Sequence, residues 1–146
     1  MSIRIALVVA EFNREITQAL QEGAFNRLQA LGVSESNINT YWVPGAVEIP
    51  LIAKLLAKSK KYEAIICLGA VIRGETGHYD YVCDQVSQGC QQVMMQYEMP
   101  VIFGVLTTEN FAQAKDRVGG HHGHKGVYCA DAALQMLNLV KELTSQ

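Results

Sequence analysis

The chain contains no apolar run near the ~20 residues that a membrane span requires, so no membrane partner is expected. It has no Cys-x-x-Cys pairing either. Cys67, Cys83, Cys90 and Cys129 fall in apolar strand or helix patterns, as buried free thiols of a reducing cytoplasm do. Basic charge is never concentrated: 12 Lys and Arg face 14 Asp and Glu, and the net charge is -2. That balance argues against a polyanion-binding surface and against a nucleic-acid partner. The one basic cluster, Lys58, Lys60 and Lys61, ends a predicted helix, where cations suit the macrodipole. The opening "MSIRIALVVAEFN" lacks a small-residue cleavage site and presents Glu11 instead, so it reads as a first strand, not a signal peptide.

What is present is an ordinary globular composition, 49% hydrophobic over 146 residues, most simply one domain spanning 1–146. Such a length can bury roughly 68–70% of its unfolded surface. Strand and helix signals alternate. Apolar, β-branched segments at 3–9, 37–43, 63–70 and 100–108 predict four strands. The spacing of Ile16, Leu20, Ala24, Leu28 and Leu31 predicts a helix over 13–31, stopped by Gly32. A second helix is expected over 47–60, with Pro50 tolerable in its first turn. A third, over 78–97, carries the stripe Val82, Val86, Cys90, Val93 and Tyr97. A short helix near 110–118 and a final one near 126–143 complete the pattern, leaving 119–126 as a glycine-rich, helix-free stretch. Strands three and four are apolar on both faces, as central parallel strands covered by helices must be. Right-handed βαβ units and a doubly wound parallel sheet follow.

In such a sheet, ligands bind beyond the carboxyl ends of the strands. Those ends carry Glu11, Phe12 and Asn13; Pro44, Gly45, Ala46, Val47 and Glu48; residues 71–78; and Thr107, Thr108 and Glu109. The third approaches a nucleotide-binding loop, but Glu75 stands where lysine would meet the phosphates and would repel them. The amides of 74–77 precede a helix, so they suit a compact anion such as the monophosphate of a small metabolite. No GxGxxG follows the first strand, which disfavours a dinucleotide, and the third strand ends without the Asp of a phosphoacceptor receiver. His78, the one histidine outside 119–126, follows the anion loop, where an imidazole could exchange protons. His121, His122 and His124 lie too close together to converge on zinc without a further partner, and no metal is expected.

"AEFN" (10–13), "WVPGAVEIP" (42–50), "GAVIRGETGHYDYV" (69–82), "PVIFGVLTTEN" (100–110) and "HKG" (124–126) give the chain its likeness. In order and spacing it resembles the 6,7-dimethyl-8-ribityllumazine synthases over nearly its whole length. The resemblance implies a flavodoxin-like three-layer α/β/α sandwich with a four-stranded parallel sheet. It implies the condensation of 5-amino-6-(D-ribitylamino)uracil with 3,4-dihydroxy-2-butanone 4-phosphate in riboflavin biosynthesis, without a cofactor. Carried onto this chain, Phe12 would stack on the pyrimidine beside Asn13. Ala46, Val47 and Glu48 would hold the ribityl chain, and the backbone of Ala70, Val71 and Ile72 would meet the pyrimidine edge. Glu75 and Thr76 would lie against the butanone phosphate, and His78 would move protons. The family's sites lie between subunits of a homo-oligomer, so Phe103, Arg117 and Lys125 would come from the adjacent chain.

Two positions depart from the common pattern: His124 stands where many members have Asn, and Tyr128 where they have an acidic residue. Pentamers are the expected building block. Shell-forming members often carry a segment before the first strand, which this sequence lacks; members restricted to pentamers carry an insertion near 119–126, which it also lacks. A non-catalytic flavin- or lumazine-binding module on the same fold is the alternative of a different class.

Overall fold

The computed structural model describes residues 2–145. Four parallel strands, β1 (Ile5–Ala10), β2 (Ile38–Val43), β3 (Ala64–Ile72) and β4 (Val101–Thr108), form one sheet in the order β2-β1-β3-β4. Helices α1 (Arg14–Ala30), α2 (Ile49–Ser59), α3 (His78–Tyr97), α4 (Phe111–Asp116) and α5 (Lys125–Thr144) follow in chain order. Along β1, Ile5, Leu7 and Val9 face one side, packing with Leu20 and Leu28 of α1 and with Ala133 and Leu137 of α5. Ala6, Val8 and Ala10 face the other, packing with Ile49 and Ala53 of α2 and Val86 and Cys90 of α3. Both faces are therefore covered, and β1 and β3 are apolar at every buried position for that reason. The result is the three-layer sandwich of the flavodoxin-like class.

Most element ends lie within two residues of the sequence expectation. Gly32, at φ 99°, closes α1 as proposed, with its N–H donating to the Gln29 carbonyl and that of Val33 to Leu28. Helix α2 starts two residues later than expected, because Ala46–Glu48 form a single 3-10 turn, which still leaves Pro50 in the first α turn. Strand β3 runs on to Ile72 because its register with β4 continues to Ile72 opposite Thr108. The stretch 119–126 is not simply irregular. Val118–Gly120 (β5) and Gly123–His124 (β6) form a small antiparallel ribbon, with Gly119 and Gly123 at positive φ, and α5 begins at Lys125. The expectation of four buried thiols holds for Cys67, Cys90 and Cys129, which are free; Cys83 is also free but only half-buried, at the rim of the α3 face. No helix among the described residues is long and apolar enough to cross a membrane.

Candidate active site

Three strand ends and one helix start enclose a cavity of about 340 Å³. Phe12 and Asn13 enter from the end of β1, Gly45, Ala46 and Val47 from beyond β2, and Ala70, Val71 and Ile72 from β3. Gly74 and Thr76 come from the following loop, and His78 from the first turn of α3. Nine of the fourteen proposed site residues thus meet in one place. Tyr79 and Val82 also line it and were not among the proposed site residues. The signal was available: Val82 lies four residues after His78, one helical turn along the same face.

Local chemistry explains each placement. Asn13 occupies the left-handed region, at φ 62°, a conformation that Asn tolerates better than most residues. There its amide nitrogen donates to the Ala70 carbonyl at 2.8 Å, tying the turn after β1 to the end of β3. The Asn13 side chain is thereby held, and that carbonyl is partly satisfied before any ligand arrives. Phe12, next to this fixed turn, is 72% exposed, so its ring is an open aromatic face at the cavity. Glu48 does not line the cavity, but its carboxylate lies beside Gly45, where a Cβ would come within 3.1 Å of Oε1. Thr76 accepts a hydrogen bond from the His78 N–H at 3.3 Å, so one free amide of the α3 start is already capped. The preceding residues 74–77 are exposed and stand in front of a 20-residue helix. Glu75 is exposed and does not line the cavity.

The fourth strand end braces the pocket without lining it. The Thr108 carbonyl accepts from the Arg73 N–H, and Glu109 pairs with the Arg73 guanidinium at 2.9 Å. Phe103 is half-buried on the α3 side of β4. Arg117 caps the end of α4, exposed, and its carbonyl accepts from the Lys125 N–H at 2.7 Å. Phe103, Arg117 and Lys125 do not line this chain's cavity, though Arg117 and Lys125 are brought together by the ribbon between them.

The three clustered histidines have separate tasks. His121 donates its N–H to Asp116, and the His122 ring pairs with the same carboxylate, which that contact pulls below its ordinary pKa. His124 caps α5: its Nδ1 accepts from the Gly126 and Val127 N–H groups at 3.1 and 3.4 Å. It performs the task that Asn performs well at this position. The larger ring fits because Gly23 of α1 has no Cβ, which would come within 2.2 Å of the ring. Tyr128 similarly lays its hydroxyl over Gly123.

Burial lowers the His124 pKa, only partly offset by hydrogen bonding with the Ala19 backbone. An unfolded histidine titrates near 6.5. As pH falls below that value the unfolded chain takes up the proton first, and the cap's contribution is lost towards the folded pKa. Above it the contribution is complete. His124→Asn is therefore expected to leave stability near neutral pH almost unchanged while flattening its decline just below pH 6.5. Thermal melts of both proteins across that range check this; parallel declines would contradict it.

The sequence pattern of the family described as 6,7-dimethyl-8-ribityllumazine synthase matches residues 2–141. Curated proteins named 6,7-dimethyl-8-ribityllumazine synthase from Coxiella burnetii, strains CbuG_Q212 and RSA 493, are each 60% identical over 142 residues. The match covers 97% of this chain and 94% of each relative. The same name and figures hold for the protein of the Dugway strain. The pocket at the strand ends, its exposed aromatic platform and its anion-suited helix start agree with that likeness, and the chain belongs to the 6,7-dimethyl-8-ribityllumazine synthase family.

Proposed function

We propose that this pocket, completed by a second copy of the chain, joins 5-amino-6-(D-ribitylamino)uracil to 3,4-dihydroxy-2-butanone 4-phosphate. The protein is a transferase of riboflavin biosynthesis, and the observation that carries the assignment of its site is the cavity itself. It sets the Phe12 ring, the end of β3 and the start of α3 around one volume. The amine attacks the ketone and water leaves as the imine forms. Phosphate is then eliminated, and the ribityl-bearing nitrogen closes the ring with loss of a second water. Such chemistry mainly needs two reactants held in register, which can supply roughly 7–11 kcal/mol. In this reading Phe12 and the end of β3 hold the pyrimidine, while Val47 and Glu48 hold the ribityl chain. The amides near Glu75 and Thr76 receive the phosphate, and His78 moves the protons.

Electrostatics supports a two-copy site. Around the phosphate loop this chain offers Glu75, Asp80 and Glu109, whereas Arg73 is already engaged by two of those carboxylates. A phosphate there needs cations from outside. Arg117 and Lys125, adjacent to each other and outside this chain's own cavity lining, are the ones we assign to it from the neighbouring subunit. We further propose pentamers as the assembly unit of a single-domain protein, and a cytoplasmic location, which suits its free thiols.

Mixing the purified protein with both substrates tests the reading, following lumazine absorbance and phosphate release. Saturable formation of both is expected; tight flavin binding without turnover would instead establish a non-catalytic module. Loss of a charge-assisted contact costs about 1.5–3 kcal/mol. Arg117→Ala should therefore raise the KM for the ketone phosphate by about ten- to a hundredfold, with the pyrimidine KM little changed. An unaltered ketone-phosphate KM would remove Arg117 from the site.

A further inference from the structure

The guanidinium of Arg73 sits in the middle of the site's motif, yet it does not line the cavity. Its backbone N–H donates to the Thr108 carbonyl at 2.9 Å. Its Nε donates to Glu109 Oε1 at 2.9 Å, and an Nη reaches Asp80 Oδ1 at 3.4 Å. The planar group also lies over the Tyr79 ring, 4.3 Å from its centre. One side chain thus joins the end of β3, the end of β4 and the first turn of α3. An isolated exposed ion pair contributes little, but a planar cation held by two carboxylates and an aromatic face is a network with one geometry.

The loop that Arg73 opens has little else to hold it. A Cβ on Gly74 or on Gly77 would meet nothing within 4 Å, so neither residue is packed. Its one side-chain hydrogen bond among the described residues is the Thr76 cap on the His78 N–H. The position of the loop's amides is consequently set by its two ends, and Arg73 grips both: it is itself the first, and through Asp80 and Tyr79 it holds the second. It also neutralises the Glu109 and Asp80 carboxylates that would otherwise face an arriving anion.

We infer that Arg73 is a positioning residue for ketone-phosphate binding, a staple across the 74–77 loop and not a ligand of the phosphate. This rests on the reading of the site given above. Arg73→Met is expected to raise the ketone-phosphate KM and the inhibition constant of inorganic phosphate by roughly tenfold, the scale of one charge-assisted contact. The pyrimidine KM and the melting temperature should stay near those of the unaltered enzyme. Arg73→Lys, which keeps the charge and loses the fork, should fall between. Removing the freed carboxylate as well, in Arg73→Met with Glu109→Gln, should recover part of the loss. Independent, additive effects of those two changes would overturn the proposal.

Amide hydrogen exchange separates the failure of this inference from failure of the site assignment. In Arg73→Met the amides of 74–78 should exchange about tenfold faster, with the sheet unchanged, whether or not the protein makes lumazine. Unchanged exchange there would refute the staple. Faster exchange in a protein that forms no product would leave the staple standing and overturn its role in phosphate binding.

Discussion

Gly126→Ala should destabilise the protein by about 1–3 kcal/mol, the usual cost of overpacking a well-packed contact. In a chain of this size each kcal/mol lowers Tm by roughly 2–4 °C. Elsewhere in a helix the same change would be favourable, since alanine exceeds glycine by about 1 kcal/mol. Here a Cβ would stand 2.3 Å from the Leu20 carbonyl oxygen of α1, and that atom belongs to a helix backbone. A flexible side chain could turn aside; a helix backbone cannot. The φ of Gly126 is not in the left-handed region, so space alone makes the glycine necessary. The consequence should reach the site proposed above, because relieving the clash would tilt the first turn of α5, which carries Lys125, and disturb its bond to Arg117. Calorimetry should show the lowered Tm, and kinetics a raised ketone-phosphate KM in whatever fraction remains folded. A raised Tm would mean that α1 and α5 are not packed this closely.

The layered sheet was legible because its cause is local and repeated. The stripe from Val82 to Tyr97 is a helical period, and the two-sided apolar character of β3 can only be met by helices on both faces. The pocket was legible at one remove, since parallel strands put their ends on one rim and the polar residues there could be read in order. What could not be read is how those residues spend their bonding groups. Asn13 binds a carbonyl 57 positions away, and Glu109 binds Arg73 across two strand ends. Neither partner is implied by spacing. His124 is the clearest instance: the spacing of the three histidines argued against zinc but assigned His124 no task, whereas in the fold it caps α5 through a gap left by Gly23. The sense of that residue lies in a neighbour about 100 positions earlier, which no periodicity connects to it.

His78→Ala is expected to lower kcat by about 10²–10⁴-fold, the range a single general acid or base supplies, without abolishing turnover. The imidazole stands at the mouth of the cavity in the first turn of α3, exposed, and no hydrogen bond among the described residues holds its ring. It can therefore reach a reacting group from the pocket wall. In the proposed reaction, proton transfers accompany imine formation, phosphate departure and ring closure alike, so its loss should slow the chemistry while leaving the other cavity walls intact. Phe12, the β3 end and the loop before α3 would still align the reactants, and that alignment is the larger share of the barrier lowering. The two KM values should accordingly change far less than kcat. Added imidazole should restore part of the rate, since the alanine leaves an open space at the rim. Full activity of the variant would show that His78 only lines the cavity. Equal losses in kcat and in both binding constants would mean that it shapes the α3 start instead of moving protons.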